Sequence, residues 1–478
     1  MRWAFAIAVF LAVAAICRAA EITASSGSRV DMSNAVASAS SGDTIWVPAG
    51  TYDYADKLTV NKGIRFRVQG TNVIIRDNSA TDVATIDCIP PTGYNIRWEG
   101  FEFADAIGGT RKYSGFIQAY GTNNGSFSSG KLILKNCYFN NVNKQCIFWL
   151  GCWGLVTGTR HELRDGTFIA HYIYQDVSSY EGSDRVWSLA TTNLAGKDVG
   201  VFIEDSSFNR PGPNNYAMTD AYFGAVYTVR SNIINLCWVE AHGTDSGGRR
   251  RGTRWMEIYN NRFSSNTYLA NFRSGSGILY SNVCTNYTSF LPTPRMPVEA
   301  YRRYFPFSIW ESATGTNGWD VNDGANPYVT GTTTAGGELY ATDASKSWTA
   351  NQWAGYTFHW TGVTNKYKAS VILSNTATTL YLENSGATAI LSGWSELTLS
   401  NACTYEINKV IESFDQSGRC CGSLLSGETP TPINDQVDDP LYEWANVGES
   451  GANIDFTTST PWVRSGEHYF NDTQRPSY

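Results

Sequence analysis

Residues 256–263 read Met-Glu-Ile-Tyr-Asn-Asn-Arg-Phe, and four other stretches repeat the pattern. They are Leu132–Phe139 (LILKNCYF), Val201–Phe208 (VFIEDSSF), Tyr227–Ile234 (YTVRSNII) and Gly277–Val283 (GILYSNV). Each alternates apolar residues, passes through an Asn or small polar turn, and returns to an apolar residue. Period two marks a strand with one buried face and excludes an amphipathic helix. With Asp205, Asn232, Asn261 and Asn282 taken as equivalent, the copies step by 27, 29 and 21 residues. Such periods indicate stacked solenoid turns joined by loops of unequal length. Asn suits the turn because it accepts left-handed backbone and its amide can bond to its equivalent one turn away.

Between these copies, Gly108–Ser129 and Gly151–Gly196 read as the longest loops, and Pro292–Tyr328 breaks the pattern. Residues 330–410 change composition to Thr-rich alternation such as Thr379-Leu380-Tyr381-Leu382. This predicts a small all-β insertion, with Trp348, Trp353 and Trp360 in its core or forming a sugar platform. Residues 411–478 are expected to pack along the solenoid as irregular chain with a few final strands.

Composition agrees with many short strands. Charged residues make up 17% of the chain, while Gly is abundant at 44, and 16 Trp and 27 Tyr bring large apolar rings. For any single ring, core filling is the default, and a sugar-stacking platform is the sharper alternative. The formal net charge of −7 supplies no general basic field for nucleic acid. Arg2, the apolar run Ala4–Ile16 and the small residues Ala19 and Ala20 follow the order of a secretory signal peptide over residues 1–20. The expected location is therefore secreted, with no transmembrane segment, since no later run reaches the ~20 apolar residues a span needs. Ten cysteines, nine without Cys17, make disulfides permissible after export but leave one unpaired.

Residues 35–52 read AVASASSGDTIWVPAGTY: an Ala/Ser-rich stretch, the turn Ser41-Gly42-Asp43, the strand Thr44–Val47, and a turn at Pro48–Tyr52. This resembles the opening of the pectate-lyase-like (pectin lyase fold) superfamily, in which a short helix caps a right-handed parallel β-helix. The resemblance implies an all-β solenoid over residues 21–329. It also implies site residues. Phe202-Ile203-Glu204-Asp205 occupies the register of that family's W-I-D-H rung, so Glu204, with Asp205 beside it, would ligate calcium. Arg273-Ser274-Gly275 followed by Ser281-Asn282 is similar to its closing R-x-G-x5-N-N, so Arg273 would hold a substrate carboxylate. Tyr268 stands where that family has its catalytic Arg.

The densest group of chemistry-bearing residues spans Asp220–Glu257, with Glu240, His242, Asp245, Arg249–Arg251 and Arg254. β-Elimination on a uronic acid needs a base near C5 and a cation for the carboxylate. His242, Tyr268 and Arg254 are the proton-moving candidates, and Arg230, Arg273 and Asp245 the substrate-holding ones. Hydrolysis would instead need two carboxylates across the bond, from Asp220, Glu240, Asp245 or Glu257. The expectation is a secreted enzyme that degrades an acidic polysaccharide, lyase before hydrolase, with a non-catalytic carbohydrate-binding or adhesive surface protein as the alternative. The expected site is one lateral groove around Glu204, Arg230, Glu257 and Arg273, walled by the loop carrying His242 and Asp245.

Overall fold

The structure, a computed structural model, describes residues 19–106, 113–121, 130–164, 169–174, 194–211, 216–222, 224–241, 253–264, 268–285, 296–298, 302–303, 328–337, 339–354, 356–361, 369–382, 403–408, 412–413, 439–449, 451–458, 463, 465–466, 468–476 and 478. The signal-peptide stretch up to residue 18, His242 and Asp245 lie outside the described residues.

The chain coils into a three-sided, parallel β-helix-like solenoid. Its first face stacks Ile96–Glu99, Lys131–Lys135, Trp153–Thr157, Val201–Glu204, Val226–Arg230, Trp255–Tyr259, Ser276–Tyr280 and Leu441–Trp444, each parallel to the next. The second face stacks Glu102–Asp105, Tyr138–Asn140, Arg160–Glu162, Ser207–Asn209, Ile233–Asn235, Arg262–Ser264 and Val283–Thr285. A third runs from Leu58–Val60 through Ile86–Cys88, Gly115–Tyr120, Gln145–Leu150 and His171–Tyr174 to Thr219–Tyr222. It continues at Cys237–Ala241 and Ala270–Phe272.

Alternation places one residue in two inside. The first-face column Phe66, Trp98, Leu134, Val156, Ile203, Val229, Ile258, Leu279 is fully buried. The second-face column Ile75, Phe103, Phe139, His161, Phe208, Ile234, Phe263, Cys284 is equally enclosed. His161 lies flat between Phe139 (5.2 Å) and Phe208 (4.2 Å), and burial pushes its imidazole down to about 3. The open N-terminal end is covered by the helix Arg29–Ser38, N-capped by Ser28, with Met32, Ala35 and Val36 turned inward.

Two-residue turns join the first and second faces. Asp205, Ser231, Asn260, Ser281 and Ala445 occupy left-handed backbone at φ 49° to 56°. The following residues, Asn232, Asn261, Asn282 and Asn446, form a buried amide ladder. Asn232 Nδ2 donates to Asn261 Oδ1 (3.0 Å), Asn261 Nδ2 to Asn282 Oδ1 (3.0 Å), and Asn282 Nδ2 to Asn446 Oδ1 (2.8 Å). Each Oδ1 also accepts the backbone N–H of the preceding rung's residue, and each Nδ2 reaches a strand carbonyl. Asp205 therefore aligns with Ser231, one residue before Asn232; Ser206 holds its ladder position.

Two further expectations change. Gly151–Gly196 is not a plain loop, because Trp153–Thr157, Arg160–Glu162 and His171–Tyr174 form a complete rung. Gly158, at φ 60°, supplies its left-handed turn, so the Asn signal is missing from the sequence there. Thr44–Tyr54 is one strand with a register shift between Pro48 and Gly50, in place of a strand and a turn.

The rung after Ser276–Tyr280 is supplied by Leu441–Trp444. In the intervening chain, Val329–Thr332, Ala335–Gly337, Tyr340–Thr342, Thr357–Trp360, Ala369–Asn375, Thr379–Leu382 and Thr404–Asn408 make a seven-stranded antiparallel sheet. It has its own buried cluster, including Trp353, Phe358, Ile372 and Tyr405, against which Trp348 packs. The side chain of Trp360 lies outside the described residues. Cys88, Cys137, Cys146 and Cys284 are free, buried thiols, and Cys152 and Cys237 are buried with them. No helix among the described residues is long and apolar enough to cross a membrane.

Asn261→Ala takes the acceptor from the Asn232 backbone N–H and the Nδ2 donor from the Val229 carbonyl and Asn282 Oδ1, at ~1–3 kcal/mol for each buried group left unsatisfied. Urea unfolding is expected to show a loss of about 3 kcal/mol or more, with Asn261→Asp intermediate because it keeps the acceptor only. A neutral buried His161, with its folded pKa lowered from 6.5, adds stability above that pH and loses it as pH falls toward 3. His161→Phe is expected to flatten the decline in melting temperature between neutral pH and pH ~5. An unchanged acid limb would mean that His161 is not the group responsible.

Candidate functional site

Three faces separate residues that one groove was expected to unite. Glu204, Arg230 and Glu257 point outward from the first face. Tyr268 and Arg273 flank Ala270–Phe272 on the third, around a corner of the solenoid. The separation follows from strand order, because each rung turns twice before it returns to the same face.

On the third face, outward positions carry rings. Phe148 and Tyr172 share a register column with Gln118 and Asp220, and Tyr174 stands two residues on from Tyr172. Phe148, Tyr172 and Tyr174 meet at 4.8–5.7 Å with interplanar angles from 43° to 86°. Farther along, Trp238 is edge-on to Tyr268 at 5.5 Å and tilted 50° to Tyr216 at 5.7 Å. All six rings are half-buried. Tilted rings do not cover one another's faces.

Beside Trp238 lies an ion pair. Glu240, the outward residue two places later, accepts the Arg273 guanidinium on Oε1 and the Trp238 indole N–H on Oε2 (3.4 Å). The side chains of Arg273 and Glu240 are only 13% and 11% exposed, so the charges are enclosed but reach the surface. Gly275, at φ 98°, makes the turn back to the first face, where a Cβ would lie 2.9 Å from the Thr253 carbonyl. His242 and Asp245 follow Ala241 in sequence and lie outside the described residues.

The first face differs. Tyr259, Tyr280 and Trp444 stack nearly parallel at 4.8 and 4.6 Å, covering each other's faces. Arg230 donates from Nε to Glu204 Oε2 (2.6 Å) and from Nη1 to the Tyr259 hydroxyl (2.9 Å). Partial burial works to lower this guanidinium, but its bonds to Tyr259 and Glu204 outweigh that and push it up. Glu257 accepts the Gly196 N–H (2.7 Å), the Trp255 indole (3.0 Å) and the Tyr478 hydroxyl (3.0 Å).

Arg254 does not reach either surface. Its side chain is fully buried and bonds to Asp439 (3.2 Å), which also holds Arg475. It braces the final rung and has no route to a substrate proton. Glu204 and Asp205 do not fit calcium either: Glu204 already holds a cation, and Asp205 is an exposed turn residue on the far side of the strand end. Among the described residues, Glu443, Asp455 and Asp472 are the acid group whose oxygens come within 4.8 Å of one another.

The sequence reading names Glu240, Arg273 and Tyr268 as candidates but not the nearby Trp238, nor Phe148, Tyr172 and Tyr174. The available signal was an aromatic at the outward position of a strand, as in His171-Tyr172-Ile173-Tyr174. The fold and this surface define a parallel β-helix-like protein with an aromatic strip and a charged pair on one face. No family model matches the sequence, and no curated protein does. Among solved structures, Geobacillus virus E2 ORF18 is 16% identical over 54% of this chain and 54% of that one, with TM-score 0.20. The Dettilon tailspike protein (gp208) is 9% identical over 79% of this chain and 89% of that one, with TM-score 0.26. The chain thus spans about half the length of the first. The fold assignment rests on the strand pairing.

Glu443 occupies an inward position in the last described Asn rung, where it accepts the Asn446 amide (2.9 Å) and the Asp472 N–H (2.9 Å). Burial foremost, with the charges of Asp455 and Asp472 adding to it, pushes its carboxyl up to about 7. The folded state therefore holds more protons than the unfolded one from about pH 4.5 to 7, and stability falls as pH rises through that window. Glu443→Gln is expected to raise the melting temperature more at pH ~8 than at pH ~5. An equal gain at both values would remove the charge as the cause.

Proposed function

We propose that this is an exported, right-handed β-helix protein that binds an acidic polysaccharide along its third face and cleaves it by β-elimination. Right-handedness is the general rule for parallel crossovers. The observation that carries the reading is the strip of tilted, half-buried rings ending at the Glu240–Arg273 pair. Sugar rings present C–H faces that pack on open aromatic faces, and a linear chain matches a strip built rung by rung.

In this reading, Arg273 exchanges part of its contact with Glu240 for a uronate carboxylate, which withdraws charge from the adjacent C5. Tyr268, acting as its phenolate, takes the C5 proton, or neutral His242 does so. The C4–O bond then breaks as the C4=C5 double bond forms, and the base returns its proton to the leaving oxygen, giving an unsaturated uronate and a new chain end. No step passes through calcium. Hydrolysis is less well supported, because Glu240 and Glu257, two of the four carboxylates it would draw on, are committed as acceptors to protein donors. The enclosure of the Glu240–Arg273 pair favours one second reading, binding without turnover.

A panel of polygalacturonate, alginate and neutral dextran separates these readings. The expected result is binding of an acidic chain with the ultraviolet absorbance of unsaturated ends. Tyr268→Phe is expected to cut turnover ~100-fold with binding retained, and Arg273→Ala to weaken both. Binding that is lost in Arg273→Ala, with no unsaturated ends and no new reducing ends from the native protein, would establish the second reading. Acidic-chain binding untouched by Arg273→Ala would move the site off this face.

A further inference from the structure

The first face carries a feature that the third-face site does not use. Its early strands Arg65–Asp77, Ile96–Glu99 and Lys131–Lys135 point Arg65, Arg67, Arg97, Lys131 and Lys135 outward. Glu99 is shared by Arg65 (2.7 Å) and Arg67 (3.3 Å), and Asp198 takes Lys131 (2.6 Å). Arg97 and Lys135 are exposed and pair with no carboxylate among the described residues. A local excess of positive charge thus stands out on a chain of net charge −7.

This strip leads straight into a groove of about 510 Å³. Lys131 and Ile133 belong to both. The groove floor is Ile133, Leu155 and Phe202, three register equivalents on consecutive rungs, and its far wall holds Glu204, Arg230 and Tyr259. Register equivalents repeat every ~4.8 Å along the axis, so cations and floor form one straight track.

We propose that this track is a second, non-catalytic glycan site that holds an acidic chain lengthwise. The proposal rests on the acidic-polysaccharide reading above. Uronate carboxylates would meet Arg97 and Lys135, while the apolar faces of the sugar rings lie on Ile133, Leu155 and Phe202. Hydroxyls would bond at the Glu204–Arg230 wall. The same track suits nucleic acid poorly, since single-strand binding stacks successive bases on several rings and the groove floor offers Phe202 alone. Here Arg67 covers Trp46 at 4.6 Å, and Tyr259 and Tyr280 lie in a closed stack. Such a site would tether the polymer while the third face acts on it.

The test uses the full chain and titrates polygalacturonate, dextran and single-stranded DNA against native protein and the double variant Arg97→Ala/Lys135→Ala. Both residues are exposed, so folding is expected to be unchanged by circular dichroism. Polygalacturonate affinity should fall roughly five- to tenfold and lose part of its salt dependence, with dextran unbound throughout. Cleavage of short uronate oligomers should keep its native rate, because they do not span both faces. Native affinity in the double variant overturns the second site while leaving the third-face reading intact. Equal losses for polygalacturonate and DNA overturn the glycan assignment. Failure of the native protein to bind any acidic chain overturns both readings.

Discussion

The buried asparagine ladder is the constraint on which the rest of the solenoid depends. Each two-residue turn needs one residue in left-handed backbone and a second whose side chain satisfies backbone groups that no strand can reach. Asn does this with both ends of its amide, accepting the N–H of the rung before and donating to a carbonyl. Buried groups left unpaired would cost several kcal/mol per rung, so the turn admits little variation in length. A turn of invariant length locks the first and second faces in register. Every outward column, charged or aromatic, inherits its alignment from that lock.

The connections from the third face back to the first differ in length, from two residues between Leu150 and Trp153 to 26 between Tyr174 and Val201. A sheet edged by connections of unequal length is a usual arrangement for a binding surface. On the first face, equivalent rings fall directly above one another and stack flat, as Tyr259, Tyr280 and Trp444 do. On the third, Phe148, Tyr172 and Tyr174 are tilted against one another instead.

The ladder also shows how the solenoid accommodates a large interruption. Asn282 and Asn446 are 164 positions apart, yet their amides meet at 2.8 Å as though they belonged to consecutive rungs. The antiparallel sheet between them buries its own apolar residues and takes no strand from the coil. Arg254 and Arg475 meet on Asp439, at the start of the returning chain, and pin the resumed rung in place. A charged residue in the core is stable here because it is paired, which is the condition on which burial of a guanidinium depends.

From the sequence alone the rung pattern was legible, because period-two alternation and a recurring Asn are local signals that survive any loop length. The helical cap and the β-rich make-up of the Thr-rich insertion were legible in the same way. A rung whose turn uses Gly158 was hidden, since glycine reaches left-handed backbone without the amide that marks the other turns. The alignment of Asp205 was displaced by one residue for a related reason: the turn has two positions, and the sequence marks them with the same residue types. Which charges share a face was decided only in three dimensions. Glu204 and Arg273 are both strand-end residues of the repeat, but successive strands of a rung point in three directions. Their separation therefore depends on how many corners the chain turns between them, a quantity that composition and spacing do not carry.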